Sequence, residues 1–134
     1  LTNLQAALGV GQLAHLNQRL ETLRCHYRQY RMRLGNQPGI RILDFDVDGG
    51  ETPQWIDALV DDRDGLDVYL AKRGIECRRF WHPVHSHKPY ACVDADFPQS
   101  TQLCRHAIWL PSAFTLSADD IDFVCDTILE FVAR

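Results

Sequence analysis

Residues 1–34 read LTNLQAALGVGQLAHLNQRLETLRCHYRQYRMRL, and the reading of the fold starts there. Leu13, Leu16, Leu20, Leu23, Tyr27, Tyr30 and Leu34 follow one another at steps of three and four. That spacing lays one apolar stripe along an α-helix, narrow enough for a helix packed along its length. Thr2, with Gln5 three residues on, has the form of a capping box, in which each side chain satisfies a backbone N–H at the helix start. Gly35 is expected to close the helix in the left-handed conformation. At 1.5 Å per residue this single linking helix over residues 1–35 would run roughly 50 Å. A domain of this size is narrower than that, so part of the helix is expected to lie against something besides the chain's own core. Ala6, Ala7, Gly9 and Gly11 are small, and a glycine inside a helix costs about 1 kcal/mol relative to alanine. Close approach by a partner explains them; an imperfect start facing solvent is the plain alternative. Arg24, Arg28 and Arg31 fall on another side of the helix, as a solvated charged face or a phosphate-binding surface.

Residues 36–134 have the pattern of an α/β (α+β) domain with a small, largely antiparallel sheet packed by helices. Asn36-Gln37-Pro38-Gly39 is a turn, and Ile40, Ile42 and Phe45 alternate as a short strand. Asp46 to Pro53 reads as an acidic loop, and Trp55 to Val60 as a central strand. Asp62 is placed to cap a helix carrying Leu66, Tyr69 and Leu70, which Lys72, Arg73 and Gly74 terminate. Ile75 to Phe80 reads as a returning strand, although the direction of pairing does not follow from the pattern. Gln99 to Ala107 is a short helix with Leu103, Cys104 and Ala107 inward, and Ile108 to Pro111 a brief extended piece. Ser117 caps a last helix whose inward positions are Ile121, Val124, Ile128, Leu129 and Val132.

The 134 residues are 46% hydrophobic and 24% charged, the composition of one globular domain with a real core. A net charge of −4 argues against a nucleic-acid or anionic-membrane surface, and no apolar run is long enough to span a bilayer. The five cysteines are irregularly spaced and without a C-x-x-C pair, which points to a reducing cytoplasm rather than a disulfide framework. The chain opens on Leu1 inside a helix signal, as a fragment does.

Chemistry concentrates in residues 78–90, Arg-Arg-Phe-Trp-His-Pro-Val-His-Ser-His-Lys-Pro-Tyr, at the head of a long irregular stretch reaching Phe97. His82, His85 and His87 with Cys92 nearby could ligate zinc, but the spacing matches no common zinc module. A loop that meets a ligand, with Arg78 or Arg79 on an anionic group and an imidazole on a hydroxyl, competes with a loop holding incidental histidines. No nucleophile elbow, glycine-rich phosphate loop or other complete catalytic apparatus is present.

The opening Leu1-Thr2-Asn3-Leu4-Gln5-Ala6-Ala7-Leu8-Gly9 with Gln12-Leu13 resembles the start of the C-terminal half of DegT/StrS-type sugar aminotransferases. Arg63-Asp64-Gly65-Leu66, Leu70, Gly74-Ile75, His82-Pro83-Val84-His85, Pro89-Tyr90, Leu110-Pro111 and Leu116-Ser117-x-x-Asp120-Ile121 resemble the same family in the same order. The resemblance implies the C-terminal small domain of a fold type I pyridoxal phosphate enzyme, separated from the N-terminal domain that holds cofactor and Schiff-base lysine. Neither Lys72 nor Lys88 matches that lysine, so no catalytic, cofactor-binding or metal-binding residue is expected here and the chain alone should be inactive. The whole enzyme would move an amino group from an amino acid, with glutamate as the expected donor, through pyridoxamine phosphate to a keto sugar nucleotide, as a homodimer. On that resemblance Arg79, His82 and His85 are the expected substrate-binding residues, and Thr2 and Asn3 are expected near the partner subunit's active site. The loop departs from the family pattern at His82, where an aromatic residue often stands, and in the extra charge of Arg78-Arg79. Two rival functions are a non-catalytic sensor of the same family and an independent ligand- or metal-binding module.

Overall fold

The computed structural model describes residues 2–134, so Leu1 of the opening motif lies outside the described residues. The expected long helix is two helices, α1 (Asn3–Leu13) and α2 (Leu16–Leu34), broken at Ala14 and His15. The Thr2–Gln5 capping box is present and complete. Nothing in α1 is buried, and an added Cβ on Gly9 or Gly11 would meet no atom within 4 Å. With no packing to hold residues 14 and 15 in register, the helix is free to bend there. Gly35 ends α2 with φ −62°, in right-handed rather than left-handed conformation. Left-handed backbone falls instead at Gly39, Gly50 and Gly74.

The apolar stripe divides in the same place. Tyr27, Tyr30 and Leu34 are buried in the core, Leu20 and Leu23 are half-buried, and Leu13 and Leu16 are exposed. The second half of the predicted linking helix therefore belongs to the domain itself. Four strands follow: β1 (Ile40–Ile42), β2 (Ile56–Val60), β3 (Arg78–Arg79) and β4 (Ala107–Leu110). Their order is β1-β2-β4-β3, with every pairing antiparallel. Since β2 and β3 both oppose β4, they run parallel to each other, joined by α3 (Arg63–Ala71) and split by the intervening strand. Phe45 lies beyond the short β1 but still packs on the core, and the strand expected over residues 75–80 contracts to its two paired arginines.

Side-chain alternation sorts the sheet. Ile40, Ile42, Ile56, Ala58, Val60, Ile108 and Leu110 join the core formed with α2, α3 and α5 (Ala118–Val132). Arg41, Asp57, Leu59, Trp109 and Arg78 take the opposite face. β4 is buried at all four residues, as befits the strand between two neighbours, and α4 (Pro98–His106) leads directly into it. In α4, Leu103 is exposed and Cys104 half-buried, and only Ala107, already the first residue of β4, is buried. Asp62 caps α3, and Ser117 and Asp120 form a reciprocal capping box on α5. The α2 arginines do more than face water: Arg24 donates to the carbonyls of Gly50 and Glu51, Arg28 pairs with Asp48, and Arg31 pairs with Asp44. They hold the acidic loop against the helix. Among the described residues no helix is long and apolar enough to cross a membrane.

Candidate functional site

Two adjacent arginines on β3 leave the sheet in opposite directions. Arg79 goes to the helical side, where its Nε donates to Asp67 Oδ2 at 2.8 Å and its Nη2 lies 3.5 Å from Asp64 Oδ1. The hydrogen bond to Asp67, with the charge of Asp64, raises its pKa further above the ordinary arginine value. Arg78 goes to the other side, with its guanidinium carbon 5.5 Å from the centre of the Trp109 ring. It forms no ion pair among the described residues.

Trp109 is the centre of an aromatic shelf on that open face. In register across three strands stand Asp57, Trp109 and Arg78. The Trp109 indole N–H donates to Asp57 Oδ1 at 2.6 Å, and Trp55 stacks on the ring at 4.5 Å with an interplanar angle of 20°. Trp81 stands at 89° to both, with centroids 4.7 Å from Trp109 and 5.8 Å from Trp55, and Phe80 closes the edge at 5.2 Å from Trp109. Trp109 is 3% exposed and Trp81 is 54% exposed. Burial raises the pKa of Asp57, against the lowering effect of the Trp109 hydrogen bond.

The irregular stretch after Trp81 is built from three single 3₁₀ turns at Val84–Ser86, Lys88–Tyr90 and Asp94–Asp96. His85 is its anchor. The ring is 6% exposed, stacks on Phe97 at 4.6 Å, and brings Nε2 within 3.2 Å of both Asp94 Oδ1 and Thr101 Oγ1. A carboxylate only accepts, so Nε2 carries the hydrogen in that contact. His82 and His87 remain exposed. The three histidines do not converge, and among the described residues no group of three His, Cys, Asp or Glu side chains is placed to hold a metal ion. Thr2 and Asn3 are exposed at the start of α1, with the Thr2 hydroxyl committed to the capping box. No hydrogen bond or ion pair joins them to the loop among the described residues.

A groove of about 1220 Å³ runs between Leu16, Leu20 and Leu23 of α2 and the Trp109–Phe114 segment. Cys77 lies in it, and burial pushes that thiol up to about 12, leaving it a poor nucleophile near neutrality. The resemblance implies pyridoxal phosphate, which needs a shielded lysine amine. Lys72 and Lys88 are both exposed, and neither lines this groove. The residues present do not fit the cofactor. Sequence reasoning named the loop but missed the shelf. Its signal was the two-residue alternation from Arg78 to Phe80 and from Asp57 back to Trp55, which becomes legible only once β4 is known to lie between those strands.

An α+β domain with a histidine-anchored loop and an aromatic shelf is the class that fold and site define. The chain belongs to the DegT/DnrJ/EryC1/StrS aminotransferase family, which matches residues 1–129. It is similar to the GDP-perosamine synthase of Caulobacter vibrioides, 32% identical over 131 residues, covering 92% of this chain and 35% of that protein. EpsN of Bacillus subtilis, provisionally assigned as a pyridoxal phosphate-dependent aminotransferase, is 29% identical over 145 residues, covering 96% and 35%. Among solved structures, DesI in the presence of its TDP-sugar product is 26% identical, with a TM-score of 0.86, over 96% of this chain and 35% of that one. The chain thus spans little more than a third of the length of these relatives.

Proposed function

We propose that this chain is the C-terminal part of a pyridoxal phosphate-dependent aminotransferase that aminates a keto sugar carried on a nucleotide. The observation that supports it is the family match over residues 1–129, set beside relatives of which it covers only about 35%. In this reading the domain of residues 36–134 is entered through the helices of residues 1–35, and the cofactor and its lysine lie in the remainder of the parent protein. The parent is a cytoplasmic homodimer, with Thr2 and Asn3 at the partner subunit's active site. The uncovered leucines of α1 face the rest of the assembly.

The loop serves the sugar nucleotide through Arg79, His82 and His85. His82 is exposed and free to donate to a hydroxyl. His85 holds the loop in shape through Asp94, Thr101 and Phe97. Arg79, tied to α3 by Asp67, fixes the strand from which the loop departs. Glutamate with a keto sugar nucleotide, supplied to the parent protein, should give amino sugar nucleotide detectable by mass spectrometry. The 134-residue chain alone, mixed with pyridoxal phosphate and reduced with borohydride, should show no stoichiometric adduct on Lys72 or Lys88. Specific labelling of either lysine, or a parent protein inert towards every keto sugar nucleotide, overturns the reading.

A further inference from the structure

We infer that the cavity between α4 and strands β1 and β2 is a binding site for a free α-amino acid with an apolar side chain. The inference goes beyond the proposed function and does not rest on it, since no residue of the 78–97 stretch and neither lysine lines this cavity. Its volume of about 410 Å³ lies within the range of small-molecule sites. Arg41 of β1 stands opposite Leu59 of β2 on the open face of the sheet. Leu59 and Leu103, from β2 and α4, supply apolar surface. His106 ends α4, and its Nδ1 lies 3.0 Å from the Val60 carbonyl oxygen, which ties the helix to β2. A carbonyl only accepts, so Nδ1 carries the hydrogen and Nε2 of the neutral ring is left as an acceptor. Asp61, one residue past β2, is held by its backbone N–H on the Gly39 carbonyl.

Charge decides the ligand. Nearby ionised side chains are engaged: Arg31 by Asp44, Arg63 by Asp64, and Asp62 by the N-terminus of α3. Arg41 and Asp61 line the same cavity, are both exposed, and make no ion pair with each other or with any other described residue. A bare anion such as phosphate is attracted by Arg41 and repelled by Asp61, and a bare cation meets the reverse. A zwitterion satisfies both. Its carboxylate takes the Arg41 fork in bidentate contact, and its ammonium donates to Asp61 and to His106 Nε2. Its side chain then lies on Leu59 and Leu103, which favours an apolar one. Glutamate would press a second carboxylate onto that apolar surface and lose its hydration.

The test titrates the 134-residue chain by calorimetry with L-leucine. Beside it run N-acetyl-leucine, which lacks the ammonium, leucinamide, which lacks the carboxylate, glutamate and inorganic phosphate. Leucine should bind with a millimolar Kd or tighter, and each of the other compounds about 10-fold more weakly or worse. Arg41→Gln and Asp61→Asn should each raise the leucine Kd about 10-fold or more. Each variant should also lose one discrimination: Asp61→Asn between leucine and N-acetyl-leucine, Arg41→Gln between leucine and leucinamide. Both side chains are exposed and make no hydrogen bond among the described residues, so both variants should melt with the parent chain. No saturation by about 20 mM leucine, phosphate or glutamate binding as tightly as leucine, or an unchanged leucine Kd in either variant overturns the inference. These residues take no part in the proposed amination, so failure here leaves that function standing.

Discussion

Asp57 shows how one residue serves position at a cost in stability. Its carboxylate accepts the Trp109 N–H at 2.6 Å, yet it sits half-buried between two strands, where desolvation disfavours the ionised form and raises its pKa above the usual 3.8. A carboxyl whose folded pKa is raised supports the fold below its unfolded pKa, and that contribution is lost as pH rises through the folded value. Asparagine at this position keeps an acceptor oxygen and has no charge to desolvate. Asp57→Asn should therefore melt at or above the parent chain at pH 7, with the difference closing as pH falls towards 4. A lower melting temperature at pH 7, or a gap independent of pH, would sink this account. His85 carries a different lesson. Sequence spacing grouped it with His82 and His87, but its burial on Phe97 is invisible without knowing that Thr101 and Asp94 come to meet it.

Among the elements, legibility followed packing. α3 and α5 carry caps and a clear apolar face, and both stand where periodicity placed them, because caps and face agree with the tertiary contacts. The first helix failed as one rod for the opposite reason. Its stripe was real, but no residue of α1 is buried against the other described residues, so propensity and the Thr2–Gln5 capping box hold α1 together. Eleven residues are marginal for an isolated helix. Gly9 and Gly11 weaken it further, and open space around both means alanine adds no clash. Gly9→Ala and Gly11→Ala should each stabilise α1 by about 0.5 to 1 kcal/mol, slowing amide exchange at residues 6–13 roughly 2- to 5-fold per substitution. Unchanged exchange rates would mean that α1 is already held by something other than its own backbone. The α2 arginines were legible as a face but not as staples, since the Asp44–Glu51 loop that they hold carries no periodic signal.

At the scale of the whole molecule, the antiparallel sheet under three helices was readable as a class, while its strand order was not. β4 looks from sequence like a minor extended piece ending at Pro111, yet it is the strand on which the sheet depends, paired on both sides. Local patterning cannot show that residues 107–110 insert between strands ending at Val60 and Arg79. That order has a consequence during synthesis. On the ribosome, β2 and β3 emerge before the strand that joins them, so a nascent chain ending near residue 106 presents unpaired edges and bare Ile56, Ala58 and Val60. Such edges recruit other chains, and closing the distant pairing late is intrinsically slow. A polypeptide stopped after His106 should sediment as aggregate and lack the near-ultraviolet tryptophan signal of the complete chain, while one stopped after Phe131 should remain soluble. If the His106 truncation stays monomeric and folded, the sheet closes by some other route. Otherwise the window between translation of β3 and of β4 is when this protein has most need of a chaperone.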